Sequence, residues 1–251
     1  MSMRRRERTW IRKCKIVTIK PNVMYLFIKR IFDIVASLIA IICLSWLFIP
    51  IIIILACTGE HEIFYRQMRV GKEGKPFGVL KFATMLKNSP NMGTGLVTTR
   101  NDPRVLPVGK FLRKTKLNEL PQLFNILGGS MSVVGPRPMV QPDYDAYTED
   151  AKECYRALTP GLSGIGSIVF RDEEYYISKA KDPMAFLRNV IQPFKGSLEV
   201  WYYQNRSLWV DTKIIFFTIW VILFPKSDLS YKAFPTLPRK DFEKEVEEFN
   251  R

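Results

Sequence analysis

Residues 114–127 read KTKLNELPQLFNIL, an amide beside a single carboxylate, Asn118 then Glu119, directly behind four cations, Lys110, Arg113, Lys114 and Lys116. The cations, the positive end of the helix that follows and Arg137 in the stiff GPRP corner at 135–138 together make an anion site. A lone carboxylate there repels phosphate unless a cation sits between them. Mg²⁺ meets that need, because it prefers oxygen ligands, keeps several waters and joins one or two carboxylates to a substrate pyrophosphate. The pattern points to phosphoryl-transfer chemistry. A second acidic group, Asp172, Glu173 and Glu174, follows a strand-like SIVF piece and reads either as a solvated helix start or as part of the site.

The elements that must position these groups are short. The pattern sets a helix starting near Lys116, with Leu117, Leu120, Phe124 and Leu127 on one face and Asn118, Glu119, Gln122 and Asn125 toward the others. Pro121 is tolerated only in its first turn, which makes Asn118 an N-cap candidate accepting from an amide one turn on. Upstream, residues 63–82 carry two β-rich arms around GKEGK. That piece lacks the GxxxxGK[ST] spacing of a phosphate loop, so a hairpin turn is the expectation. Residues 88–107 read as loop, and 143–156 as an acidic helix ending before Pro160-Gly161.

Composition fixes the setting. The net charge of +14 is concentrated in residues 1–30, where ten Lys/Arg oppose only Glu7. Such a tail suits an anionic membrane face. Residues 34–57 then run 24 positions without a charge, about 36 Å of straight helix against roughly 30 Å of bilayer hydrocarbon. Pro50 should kink or break it. On composition alone the segment spans, with its basic side cytoplasmic. Residues 196–224 are rich in Trp and Tyr, but their uncharged stretch of 11 residues from Ile214 is too short to cross. A helix at headgroup level and a buried core helix both remain open there. Cys14, Cys43, Cys57 and Cys154 show no metal spacing, and His61 is the sole histidine, so imidazole- and thiolate-rich metal sites are excluded. Nucleic-acid binding has only the basic isoelectric point behind it.

At KRIFDIVASL, RQMRVGKEGKPFGVLKF, TRNDPRVLPVGKFLRKTKLNELPQLFNIL, MSVVGPRP, LTPGLSGIGS and LEVWYYQNRSLWVDTKIIFFT the chain resembles the bacterial sugar transferases, monotopic phosphoglycosyl transferases acting on polyprenyl phosphate. The resemblance covers about residues 28–224. It implies transfer of a sugar 1-phosphate from a UDP-sugar to polyprenyl (undecaprenyl) phosphate with Mg²⁺ required and UMP released, as the first membrane step of surface glycan assembly. It further implies a bacterial inner-membrane protein whose membrane helix is re-entrant, so that both of its ends and the catalytic domain are cytoplasmic.

The implied fold is α+β and mainly helical, with a re-entrant membrane helix broken near Pro50, a small antiparallel β-hairpin and amphipathic interfacial helices. Its divisions are a basic N-terminal tail at 1–28, the membrane helix at 29–58, the transferase domain at 59–224 and a C-terminal tail at 225–251. By the resemblance Glu119 binds Mg²⁺, Arg113, Arg137 and Lys81 hold phosphate, and Glu199 and Asp211 are further site members. The family pattern places an Asp, its covalent nucleophile, where this chain has Asn118; Ala83 and Ser130 are further departures. Asp172 or Glu173 replacing the nucleophile, direct attack by the lipid phosphate, and an inactive scaffold that binds nucleotide sugar are the readings left open. The implied partners are the UDP-sugar, polyprenyl phosphate and anionic lipid, with no nucleic acid; pairing into a homodimer is left open.

Overall fold

The computed structural model describes residues 22–93, 102–170, 173–224 and 229–251. The basic tail expected at 1–28 lies outside the described residues apart from its last seven. Helix α1 (Val23–Cys57) takes in that remainder, and Asn22 caps it, its side-chain oxygen accepting from Met24 N at 3.0 Å and Tyr25 N at 3.4 Å. The helix continues through Pro50, so the break expected there is not in the backbone. A proline removes one donor, and the flanking turns carry the rest of the ladder.

One stripe of α1 faces the protein from end to end. Tyr25, Asp33, Ser37, Phe48, Ile51 and Leu55 are buried, whereas Val35, Ile39, Ile42, Trp46, Ile49 and Ile53 on the other side are exposed. Polar groups hold the N-terminal half of the stripe. Arg30 donates to the carbonyls of Ile126 and Leu127 at 2.7 and 2.8 Å, and Asp33 accepts from Ser132 Oγ and Val133 N at 3.0 and 2.8 Å. Packing holds the other half, where Phe48, Ile51 and Leu55 form a core with Phe82 and Leu112.

Strands β1 (Phe64–Val70) and β2 (Pro76–Phe82) form the antiparallel hairpin, in register from Phe64 opposite Phe82 to Val70 opposite Pro76. GKEGK is its turn, and Glu73 and Gly74 take the positive φ values of 60° and 75° that close it. Helices α2 (Pro107–Lys114) and α3 (Gln122–Gly128) follow, then strand β3 (Ser132–Val134), which pairs in parallel with β4 (Gly161–Ser163). The single acidic helix expected at 143–156 is two, α4 (Gln141–Asp145) and α5 (Glu149–Arg156), because Thr148 starts a new helix by accepting from Ala151 N.

The SIVF piece, expected as a strand, lies in helix α6 (Ile165–Val169), and α7 (Glu173–Lys179) comes next. Ile165 and Ile168 are buried at helical spacing, so packing overrides the β-branched local preference. Helix α8 (Pro183–Phe186) runs into a π-helical turn, Leu187–Ile191, which leads into α9 (Gln192–Asn205); Ser207 then caps α10 (Leu208–Leu223). Ile214, Phe217 and Val221 of α10 enter the main core, while Trp209, Phe216, Ile219 and Leu223 stay exposed. The buried-core reading therefore holds for one face of that helix, and the opposite face is exposed and apolar. Residues 229–251 do not behave as a tail: α11 (Leu229–Ala233), α12 (Phe242–Asn250) and the loop between them put Phe234, Leu237, Phe242 and Val246 into the same core.

Candidate active site

Helix α2 delivers the cation cluster and ends at Thr115. Lys116 then takes a left-handed conformation (φ 61°, ψ 9°), and Leu117–Glu119 form one 3₁₀ turn ahead of α3. This offset turns Asn118 inward. The N-cap role expected of it is therefore corrected, because Pro121 occupies the cap position and the buried Asn118 Oδ1 has no hydrogen-bond partner. The face expected for α3 is corrected too. Gln122 and Asn125 are buried, Asn125 accepting from Leu80 N and donating to Gly78 O, both at 2.9 Å, while Phe124 is exposed and meets Phe48 of α1 edge-on. Two partners fixed by the hairpin outweigh the polarity of an amide.

Glu119, only 14% exposed, accepts from Arg137 Nη2 at 3.1 Å. Beside it lies a small open cleft lined by Arg69, Val79, Lys81, Gln122, Arg137 and Gly161. Arg69 is aimed by donating to Pro138 O at 3.2 Å and Gln67 Oε1 at 2.5 Å. Glycines bring Arg137 to this place. A Cβ on Gly135 would stand 2.2 Å from Thr159 O, and one on Gly164 2.2 Å from Gly135 O, so only bare backbone lets the GPRP and PGLSG segments touch.

The electrostatics show what the cleft lacks. Burial, helped by Arg69, Arg137 and Arg113 and opposed by Glu119, pushes the Lys81 ammonium down to about 7. Burial and Arg137 lower the Arg69 guanidinium to about 10. Burial works to raise the Glu119 carboxyl, yet Arg137, Lys81 and Lys116 outweigh it and hold it at about 2. A crowd of cations that Glu119, Asp143 and Glu173 offset only in part lowers its own basicity, and an incoming polyanion relieves it.

The other expected residues are scattered. Arg113 donates to Met85 Sδ at 3.6 Å and lies 3.9 Å from Glu174, so it flanks the cleft rather than lining it. Asp172 lies outside the described residues. Glu173 accepts from Lys195 through both oxygens at 2.7 and 2.6 Å. Glu199 is buried on α9 with Oε2 unpartnered, and burial, opposed by Lys195, pushes its carboxyl up to about 8. Asp211 accepts from Tyr25, Lys29 and Tyr202 at 2.8, 2.9 and 2.7 Å, a clamp between α1 and the α9–α10 pair. It does not line the cleft. Sequence reasoning missed Arg69 and Gln122. The hairpin register could have found the arginine, since Tyr65, Gln67 and Arg69 share a face with Lys81 and Val79.

Among the described residues no group of three His, Cys, Asp or Glu side chains could hold a metal. Mg²⁺ bound to a diphosphate needs fewer protein ligands, and the Glu119 carboxylate, held by Arg137 beside the cleft, is an oxygen ligand of the kind it takes.

Residues 24–225 match the family model described as bacterial sugar transferase. The chain is 35% identical over 211 residues to the undecaprenyl-phosphate galactose phosphotransferase of Salmonella typhimurium, covering 78% of this chain and 40% of that protein. It is 36% identical over 205 residues to the exopolysaccharide production protein ExoY of Sinorhizobium fredii, covering 76% and 83%. A third relative, the UDP-N-acetylgalactosamine-undecaprenyl-phosphate N-acetylgalactosaminephosphotransferase of Aeromonas hydrophila, is 35% identical over 205 residues, 81% of this chain and 45% of that one. The chain thus spans less than half the length of the first and third.

Proposed function

Because this chain belongs to the bacterial sugar transferase family, we propose that it moves a sugar 1-phosphate from a UDP-sugar to polyprenyl phosphate at the cytoplasmic membrane face, releasing UMP. The observation that carries this reading is the cleft itself, in which Arg69, Lys81 and Arg137 converge beside the Glu119 carboxylate. A nucleotide diphosphate supplies the negative charge that those side chains call for. Relatives named for galactose and N-acetylgalactosamine phosphate transfer to undecaprenyl phosphate support the substrate class.

In the transfer, an oxygen of the lipid phosphate forms a bond to the sugar-bearing β-phosphorus, the bond from that phosphorus to the bridging oxygen breaks, and UMP leaves with the electron pair. Arg137 and Arg69 hold the phosphate oxygens in line, and Lys81 adds charge as it builds on the leaving oxygen. Mg²⁺, held by Glu119, would supply charge neutralisation at the diphosphate. The Asn118 amide forms no ordinary acyl phosphate, and both Glu173 oxygens are engaged by Lys195. Of the carboxylates open to a covalent route this leaves Asp172, which lies outside the described residues; direct displacement in a ternary complex is the working reading, and a phosphosugar adduct found on Asp172 by mass spectrometry overturns it.

The test is UMP release by membranes given UDP-sugars, Mg²⁺ and polyprenyl phosphate. The native chain should turn over, and Glu119→Ala should lower the rate by about 100-fold or more. Asn118 also favours a second reading, an inactive scaffold that binds nucleotide sugar. That reading expects no turnover by the native chain with any sugar, and a first appearance of activity in Asn118→Asp.

A further inference from the structure

Residues 229–251 lie beyond the part of the chain that matches the family model, yet Phe234, Leu237, Phe242 and Val246 enter the main core. What α12 holds there is α7. Asn250 closes the C-terminal end of α7, its amide nitrogen donating to Lys179 O at 2.9 Å and its oxygen accepting from Lys181 N at 2.7 Å. Phe242, at the start of α12, lies against Tyr176 of α7 with ring centres 5.5 Å apart. We propose that α12 is a strap that holds the first acids of α7, Glu173 and Glu174, against the cations around the phosphate cleft, and thereby limits how tightly the cleft grips a nucleotide diphosphate. Phe242 and Asn250 are then positioning residues for donor binding. The inference rests on the donor reading above and adds a part of the chain which that reading does not use.

A helix of seven residues does not hold itself. Ile177 anchors one side of α7 in the core, and Asn250 meets backbone groups that the end of the helix leaves without partners. The exposed pair between Lys179 and Glu243 at 3.1 Å adds little. Phe242 does more. Besides Tyr176 its ring meets Phe170 and Phe194, with centres 4.8 and 5.3 Å away. Phe194 precedes Lys195 on α9, and Lys195 Nζ stands 5.2 Å from the centre of the Phe170 ring. One side chain of the strap therefore backs both partners of the Glu173–Lys195 pair.

The acids that the strap holds face the site. Glu173 engages Lys195 through both oxygens, and Glu174 Oε1 lies 3.9 Å from Nη2 of Arg113, the cation that flanks the cleft. The charge of Glu173 reaches Arg137, and that of Arg113 reaches Lys81, so both acids act on groups that line the cleft or stand beside it. They carry the sign of the incoming diphosphate. While α7 is strapped down they offset part of the positive field and repel a bound anion; with α7 released the cleft holds an anion harder. Such restraint serves turnover, because a nucleotide product that shares the phosphate contacts of the donor must leave before the next cycle.

The experiment titrates UDP into the full chain in detergent with Mg²⁺ by calorimetry, at about 0.05 M and about 1 M NaCl. Glu173→Gln removes one charge and should raise UDP affinity about threefold at low salt, and Asn250→Ala and Phe242→Ala should each raise it by a similar factor. Because the strap acts through the acids of α7, Asn250→Ala combined with Glu173→Gln should raise affinity by less than the product of the two single effects. At about 1 M salt, where charges are screened beyond about 3 Å, these gains should vanish. Asn250→Ala leaves the aromatic contacts in place and keeps the test open should Phe242→Ala fail to fold. Strap variants that melt at a lower temperature but bind UDP as the native chain does, at both salt concentrations, would show a packing role alone and overturn the proposal. A fall in affinity, or single effects that multiply in the double variant, overturns it as well. A native chain that binds no UDP at either salt concentration instead removes the donor reading, and this inference with it.

Discussion

Lys81 lies opposite Tyr65 in the hairpin, on the face that also carries Arg69, and has Arg137, Arg113 and Glu119 around it. Burial and the three guanidinium groups bring its ammonium down to about 7. An anion binds the protonated form, so binding raises that value again and takes up a proton above it. Affinity for a UDP-sugar, whose diphosphate does not titrate in this range, should be full below pH 7 and fall as pH rises through and beyond about 7, by at most tenfold per unit. Calorimetry from pH 6 to 8.5 checks this, with Lys81→Arg expected to flatten the profile and Lys81→Met to hold affinity at the high-pH level throughout. Glu119, held at about 2, contributes nothing to the change. Asn118 shows why residue types alone read this site incompletely. A capping role needs a cap position, and that was taken by Pro121 once Lys116 adopted its left-handed turn. The local sequence holds no sign of that turn, since Lys116 is not a glycine.

At the level of elements, the site depends on contacts between backbones. Gly135, Gly161 and Gly164 let the strand pair β3–β4 and the GPRP corner approach to distances no side chain permits. Gly135→Ala should destabilise the protein by about 1–3 kcal/mol and displace Arg137, which unfolding in denaturant and UDP affinity would show as a joint loss. Asp211 is expected to differ. Its three donors fasten α1 to α9 and α10, so Asp211→Ala should lower stability by about 3–5 kcal/mol with donor KM unchanged in the molecules that stay folded. A rise in KM at constant stability would return Asp211 to the site. The hairpin was legible because turn residues flanked by β-rich arms have one simple solution, and Glu119 with its cations because charge density is visible in the chain. Helix α6 was not, because Ile165, Ile168 and Phe170 are buried by partners far away in sequence. The face of α3 was hidden for a similar reason: Asn125 faces inward only because β2 offers it both a donor and an acceptor.

At the scale of the whole molecule, the placement of α1 bears on how the chain meets the membrane. Its 35 residues extend about 52 Å as a helix, well beyond the roughly 30 Å of bilayer hydrocarbon. Composition alone pointed to simple spanning, because a hydropathy pattern records what a segment tolerates and not what it rests on. In the fold, one stripe rests on the same domain from Tyr25 and Lys29, through Arg30 and Asp33, to Ile51 and Leu55. A helix crossing perpendicular to the membrane would drag the domain surface it touches, with the charged Arg30 and Asp33 contacts, into hydrocarbon. We propose instead that both ends of α1 lie on one side, the helix running along the interface with the exposed stripe of Val35, Ile39, Ile42, Trp46 and Ile49 toward lipid. Helix α10, fastened to α1 through Asp211, turns Trp209, Phe216, Ile219 and Leu223 outward and suits the same interface. Single cysteines placed at Asn22 and Glu60, just outside the two ends of α1, should react with a membrane-impermeant maleimide from the same side of oriented vesicles. Reaction from opposite sides would require α1 to detach from the domain along half its length, and with it the packing of Phe48, Ile51 and Leu55 against Phe82 and Leu112.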